Sequence, residues 1–315
     1  MAKSVLSAPH FHNEEAAFSY VEALLWPEGP VCPHCGNCDA ERIGRLQGKT
    51  SRFGLRKCYA CRGTFTVRMG SIFEDSHLPL HLWLQVIHLM CASKKGLSTR
   101  QIQRMLQCSM KTAWFLSHRI REAMKDGGLG PLGGEGQTVE ADETFIGGKE
   151  KNRHRSKRAT SRLGGSWGKE TVLSLVERGG RVRSMHVASV TAANLRPILV
   201  GQIDGASILC TDDAGQYRHM GRDFRHEVVN HGAEEYVRGP FHTNSVEGFF
   251  SILKRGIVGC YFHVSEKHLH RYLVEFDFRH SNREKLGIND QARTDLAVKG
   301  FAGKRLTYET TRFSA

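Results

Sequence analysis

Two Cys-X-X-Cys pairs constrain this chain more than any other feature of its sequence. Cys32-Pro33-His34-Cys35 and Cys58-Tyr59-Ala60-Cys61 are separated by 22 residues. Each pair presents two thiolates from one tight turn, and together they supply the four soft ligands of a tetrahedral Zn²⁺ site. The separation is slightly longer than the usual ribbon spacing, which a hairpin insertion absorbs. Phe65-Thr66-Val67 reads as a short strand beside the second pair. Four Cys ligands with no carboxylate nearby describe a closed structural site, Cys32, Cys35, Cys58 and Cys61, in a zinc ribbon over residues 26–76. Cys38 and His34 compete as ligands, although Cys38 breaks the paired symmetry. The chain has 9 Cys, an odd number that argues against a disulfide framework. Cys91, Cys108, Cys210 and Cys260 are isolated and read as small apolar residues.

Residues 1–25 read as a helical segment, and the helical pattern resumes at 77–126. Leu80, Leu82, Trp83, Val86, Ile87 and Met90 recur at helical spacing after Pro79. Gly96 breaks the run. Ser98-Thr99-Arg100-Gln101 has the capping-box pattern for a second helix, and Ser109 caps a third. Two short helices joined by a tight turn, the second carrying Lys111, Arg119 and Arg121, form a helix-turn-helix pattern suited to DNA. Five Gly and a Pro within Gly127–Gly134 cannot hold a helix, so residues 127–135 read as a linker.

The charge fits a polyanionic partner: 45 Lys plus Arg against 32 Asp plus Glu leave +13. No apolar run approaches the roughly 18 residues that span a bilayer. Met1–Phe18 holds His10, His12, Glu14 and Glu15 rather than the apolar core of a signal peptide. The expectation is a cytoplasmic protein with no membrane partner. Gly164–Lys169 does not make a phosphate-binding loop, because Leu163 stands where Gly is needed and Glu170 where Ser or Thr is needed. No nucleotide is expected.

After the linker the pattern changes to strands. Thr138–Ile146, Thr171–Val176 and Val182–Val190 read as a meander, Thr191–Val200 as a helix, and Ser207–Thr211 as a fourth strand. His219–His231 holds a helix and a short strand, and Thr243–Arg255 and Ser265–Arg279 are amphipathic helices. The order is that of a ribonuclease-H-like α/β fold, a mixed sheet with flanking helices, over residues 136–285. Residues 286–315 read only as a basic, peripheral tail.

The acids of this segment carry its chemistry. Asp142 lies inside a strand among apolar residues, where a carboxylate is costly unless it is paired or binds a cation. Asp212 ends the fourth strand, and its neighbour Asp213 should point to the opposite face. Glu247 lies on the helix beginning near Thr243. Asn244, Glu247, Ser251 and Lys254 fall within one arc of about 80° on that helix, with Phe249, Phe250 and Leu253 on the other side. Three oxygen donors so placed suit a pair of Mg²⁺ ions. Lys149–Arg158 carries six Lys or Arg in ten residues: Lys149, Lys151, Arg153, Arg155, Lys157 and Arg158. It reads as a basic arm toward DNA, with a salt-dependent contribution to affinity.

The chain resembles insertion-sequence transposases of the DDE class with an ISXO-like catalytic domain. The resemblance runs from the ribbon to about Arg283. It rests on Val139-Glu140-Ala141-Asp142-Glu143-Thr144-Phe145-Ile146-Gly147-Gly148-Lys149, on Thr211-Asp212, and on His242-Thr243-Asn244-Ser245-Val246-Glu247 continuing through Lys254-Arg255-Gly256. Lys267–Leu273 and Glu275–Arg279 extend it. The resemblance implies Mg²⁺-dependent strand cleavage and transfer at terminal inverted repeats, with Mn²⁺ able to substitute.

Its catalytic acids fall on Asp142, Asp212 and the helix near Glu247. Asn244 is the rival or helper at the third position. In this reading Asp142 bridges two ions that Asp212 and Glu247 each complete. Lys254 and His242 position phosphates, and Arg255 lies beside them on the DNA side. The partner is double-stranded DNA, both repeats and target, and holding two ends together implies a homo-oligomer. The rival readings are a catalytically silent DNA-binding regulator derived from such an enzyme and a structure-selective nuclease of the same fold.

Overall fold

A computed structural model describes residues 4–48, 51–125, 127–128, 130–148, 154, 168–233, 235 and 237–307. The chain divides into two compact units, one of residues 1–125 with 288–315 and one of residues 126–287.

The first unit begins with α1 (Glu14–Leu25), whose first turn Asn13 caps by accepting from the Ala16 amide at 2.9 Å. Three short strands follow, β1 (Ile43–Arg45), β2 (Arg56–Cys58) and β3 (Thr64–Phe65), paired antiparallel in that order. The third starts one residue before and ends two residues before the expected Phe65–Val67. Cys32, Ile43, Cys58 and Phe65 form a small core, against which Trp26 packs edge-on to Phe65. A core this small depends on a cross-link or metal for independent stability.

Three helices then follow: α2 (Leu80–Ala92), α3 (Thr99–Leu106) and α4 (Met110–Ala123). The Ser98 and Ser109 hydroxyls accept from the Gln101 and Thr112 amides at 3.2 and 3.1 Å, which fixes both helix starts. Gln107, in the left-handed region at φ 50°, makes the tight turn between α3 and α4.

The far end of the chain returns to this unit. α8 (Asp290–Lys299) packs on α2, and Thr294, Ala297, Val298 and Phe301 are buried. Phe301 meets Phe73 edge-on at 4.9 Å. The expectation of a peripheral tail over 286–315 is therefore corrected for its described part, 286–307: α8 covers the apolar side of α2. Its own apolar residues are too few for helical periodicity to reveal it.

The second unit is a five-stranded mixed sheet. β4 (Thr138–Ile146), β5 (Glu170–Glu177) and β6 (Val182–Val187) form an antiparallel meander. β7 (Ile208–Asp212) lies parallel to β4, and β8 (Arg225–Val229) lies parallel to β7. The order β6-β5-β4-β7-β8 is that of the ribonuclease-H-like fold. α5 (Ala192–Gln202) covers one face, over Val139, Ala141, Leu173 and Leu175. α6 (Asn244–Gly256) and α7 (Glu266–Ser281) cover the other, over Ile146, Val172 and Val176.

Within His219–His231, where a helix and a short strand were expected, the strand is β8 and the helix is only the 3-10 turn Met220–Arg222. Part of the expected linker is also anchored. Leu132 is buried and exchanges backbone hydrogen bonds with Gln202 and Asp204 at 2.8 Å each. Gly133 at φ +85° follows, where a Cβ would meet the Ser207 hydroxyl at 2.1 Å. The Gly-rich run thus serves as a close-packed entry into the sheet as well as a connection.

Candidate active site

The strand register brings the first two acids together. β4 and β7 run parallel with Val139 opposite Leu209 and Glu140 opposite Cys210. Carried on by two residues, that register sets Asp142 opposite Asp212. α6 crosses the same face of β4, with Val246, Phe249 and Leu253 inward and Asn244, Glu247 and Lys254 exposed.

The electrostatics show the crowding. Burial pushes the Asp142 carboxyl up to about 7, and the charges of Glu143, Asp212 and Glu247 push in the same direction. Against them acts a hydrogen bond from the Glu143 amide to Asp142 Oδ1 at 2.7 Å. Asp212 accepts from the Ala214 amide at 3.2 Å, and Glu247 accepts from the Thr243 hydroxyl at 2.9 Å. Among the described residues, no Lys or Arg pairs with Asp142 or Asp212. Asp142, Asp212 and Glu247 are hard oxygen donors of the kind that Mg²⁺ takes, and the charges of the latter two push the Asp142 carboxyl further up.

Two further acids of β4 stand out in the structure but not in the sequence reading. Glu143 points to the α5 side, where it accepts hydrogen bonds from the Tyr217 hydroxyl and the Gln216 amide. Burial raises its carboxyl above the ordinary range, and the Asp212 charge adds to this. Glu140 is fully buried on the α6 side. The argument that singled out Asp142, a carboxylate inside an apolar strand, applied equally to Glu140 and could have found it.

The remaining expected residues distribute unevenly. His242 turns inward, with Nδ1 at 3.2 Å from Glu140 Oε1, rather than standing free beside a phosphate. Arg255 is exposed and bonds back to the Ser251 carbonyl and hydroxyl. Asp213 is exposed. Lys149, Lys151, Arg153, Arg155, Lys157 and Arg158, the expected basic arm, lie outside the described residues.

On α4, Lys111 is exposed, but Arg119 and Arg121 are not available to DNA, which corrects the expectation for both. Arg121 is 0% exposed and donates to the Ser117 hydroxyl at 3.1 Å. Arg119 lies over the Trp83 and Phe115 rings and donates to the Glu74 carbonyl at 2.6 Å. The physical reason is that α2, α3 and α8 all pack around α4, so its buried sector is wider than its apolar stripe.

In the ribbon the four thiols converge. Cys32 and Cys61 Sγ lie 3.7 Å apart, as do those of Cys35 and Cys58, and all four fall within 4.8 Å of one another. Cys38 is exposed and stands outside this group, and His34 instead hydrogen-bonds the Thr64 carbonyl at 3.1 Å. The set fits a tetra-thiolate Zn²⁺ site. A second group of donors, Glu170, His186 and Glu266, gathers at the β6 edge, where Glu170 and His186 hydrogen-bond each other at 2.8 Å. No helix among the described residues is long and apolar enough to cross a membrane.

The second unit is thus a ribonuclease-H-like sheet with Asp142 midway along β4, Asp212 at the end of the adjacent parallel strand β7 and Glu247 on the facing helix, and a four-cysteine ribbon precedes it in the chain. Residues 131–281 match the ISXO2-like transposase domain, and residues 12–64 match the transposase zinc-ribbon domain. The two matches follow one another along the chain, so both transposase domains, ribbon first and ISXO2-like domain second, are recognised in it.

It is 28% identical over 287 residues to an uncharacterized protein in transposable element ISH50 of Halobacterium salinarum, covering 88% of this chain and 94% of that protein. Among solved structures, a chain of the simian T-cell lymphotropic virus intasome shows 15% identity and a TM-score of 0.28, over 56% of this chain and 67% of that one. A chain of a pre-cleavage Mos1 transpososome shows 13% identity and a TM-score of 0.26, over 71% and 80%. Scores this low add nothing to the sheet order described above.

Proposed function

We propose that this chain is a DNA transposase that cuts and joins strands at the terminal inverted repeats of an insertion sequence, using Mg²⁺ held by Asp142, Asp212 and Glu247. The observation that supports the reading is geometric: β4 and β7 run parallel in a register that sets Asp142 opposite Asp212, with α6 and its Glu247 over the same face, and burial together with the neighbouring charges raises the Asp142 carboxyl to about 7. Divalent ions bound there supply charge stabilisation for the attacking and leaving oxygens of an in-line phosphoryl displacement.

The chain's own residues divide the remaining work. The acids repel a bare phosphate backbone, so DNA approaches only when their charge is neutralised. Lys254, seven residues beyond Glu247 on the exposed face of α6, offers a cation to a phosphate beside the acids. Asn244 shares that face and is placed to assist Glu247. The zinc ribbon, α3 and the exposed Lys111 of α4 suit recognition of the repeat, with Zn²⁺ holding the ribbon's shape. A reaction on two DNA ends calls for a homo-oligomer, and the protein acts where the bacterial chromosome lies, in the cytoplasm.

The test uses purified full-length chain and duplexes carrying the repeats that flank its gene, with Mg²⁺ or with a chelator. Nicks confined to the repeat boundary, and dependent on Mg²⁺, are expected. Cleavage of branched junctions irrespective of repeat sequence would replace this reading with that of a structure-selective nuclease. Repeat binding without any cleavage would replace it with that of a regulator.

A further inference from the structure

Glu140 is 0% exposed, sits on β4 two residues before Asp142, and shares its face of the sheet. Its carboxylate accepts from the Ser245 and Val246 amides at 2.7 and 3.1 Å and from the Ser245 hydroxyl at 2.9 Å. Arg178, from the turn after β5, donates to it at 3.0 Å, and His242 Nδ1 lies at 3.2 Å. Arg178 also donates to the carbonyls of Pro240 and His242 at 2.5 and 3.2 Å, which ties the segment entering α6 to the same group.

Ser245 and Val246 are the second and third residues of α6, the positions whose amides a helix cap normally satisfies. Thr243, the residue in the capping position, makes no side-chain cap hydrogen bond. The cap of this helix therefore comes from a strand 105 residues earlier in the chain. Val246 is followed directly by Glu247, so the capped turn is the one that carries the third acid. A buried carboxylate is costly, and here a helix N-terminus and a guanidinium offset that cost together.

We propose that Glu140 is the positioning residue of the acidic site, a carboxylate that binds no metal itself and sets the separation between Asp142 on β4 and Glu247 on α6. The proposal rests on the metal-holding role of Asp142, Asp212 and Glu247 argued above. One carboxylate grips both carriers at once. Without it, α6 can slide on apolar contacts that are tolerant of small shifts, whereas metal ligation is not.

The experiment measures Mn²⁺ binding to the full-length protein by calorimetry without DNA, alongside Mn²⁺-dependent nicking, in Glu140→Gln, Ser245→Ala and Asp142→Asn. Glu140→Gln keeps the shape but turns an amide toward groups that are themselves donors. It should weaken Mn²⁺ binding roughly tenfold, within the range of outer-shell partners, and raise the Mn²⁺ needed for half-maximal nicking in proportion, with repeat binding unchanged. Ser245→Ala removes one hydrogen bond and should weaken Mn²⁺ binding by a smaller factor, on the order of threefold.

If Asp142→Asn abolishes Mn²⁺ binding and Glu140→Gln leaves it unchanged, the positioning role is overturned and the metal site stands. If Asp142→Asn leaves Mn²⁺ binding unchanged, the underlying reading of the site fails and the proposal fails with it. Should Glu140→Gln not fold, Ser245→Ala decides: wild-type Mn²⁺ affinity in that variant overturns the role.

Discussion

Asp142 and Glu143 are neighbours on β4 and face opposite sides of its sheet. Asp142 points with Glu140 toward α6, and Glu143 points toward Tyr217 on the α5 side. Both nevertheless feel the charge of Asp212, because β7 ends beside them. The end of a parallel strand pair is thus acidic on both faces, and only one face carries the helix with Glu247.

This asymmetry predicts different losses on substitution. Asp142→Asn should reduce repeat nicking by more than the roughly 10–100-fold typical of outer-shell partners, with repeat binding in a gel-shift assay unchanged. Glu247→Gln should resemble it, and Asn244→Ala should cost less than Glu247→Gln. A larger loss for Asn244→Ala would transfer the third position to Asn244.

The half-buried carboxyl of Asp277 on α7, held against β6, predicts a pH effect on stability. Burial pushes it up to about 7 against hydrogen bonds from the Ser184 amide and hydroxyl and the nearby charge of Arg183. Its folded value lies above the ordinary 3.8, so the folded state holds the proton more tightly than the unfolded one. Its contribution to stability is present below about 4 and is lost as pH rises toward 7. Asp277→Asn keeps an acceptor and removes this titration. Urea unfolding of wild type and variant should therefore show the variant gaining on wild type between pH 4 and 7, and a constant difference would refute the assignment.

The thiol cluster predicts one Zn²⁺ per chain by mass spectrometry of the metal content. Cys35→Ser should lower that to near zero and destabilise the ribbon, since binding and folding are coupled in such domains. Cys38→Ser should leave the Zn²⁺ content unchanged. Loss of Zn²⁺ in Cys38→Ser would place Cys38 among the ligands.

On α4, Lys111→Ala and Arg121→Ala should separate binding from stability. Lys111 is exposed, so its removal should leave stability within about 0.5 kcal/mol and lower the salt dependence of repeat binding by about one charge. Arg121 is fully buried, so its removal should cost stability at the upper end of the ~0.5–3 kcal/mol range. Thermal unfolding and salt-dependent binding curves measure both.

Much of this architecture was legible because it is local. Alternation along Thr138–Ile146 and the 3.6-residue period of Asn244–Gly256 depend on near neighbours, and both elements fall where the patterns put them. Ser98 and Ser109 mark helix starts for the same reason.

What the patterns missed is long-range. Arg121 looks like a solvent-facing charge until the surrounding helices are in place, one of which begins 169 residues later at Asp290. Glu140 looks like any acid in a strand until the Ser245 and Val246 amides arrive. A 3-10 turn at Met220–Arg222 replaces the helix expected within His219–His231 because Gly221 interrupts a stretch with few apolar residues.

The return of α8 onto α2 has a consequence for shortened products of the gene. A chain ending anywhere before Ile288 would make the ribbon and helices α1 to α4 but leave the apolar side of α2 bare. Such a fragment would be a poor substrate for stable folding and a good one for proteases. The catalytic unit is therefore threaded between two parts of one body, and that body matures only when translation reaches the last helix. This arrangement disfavours a free-standing fragment of the first unit and ties its completion to synthesis of the whole second unit.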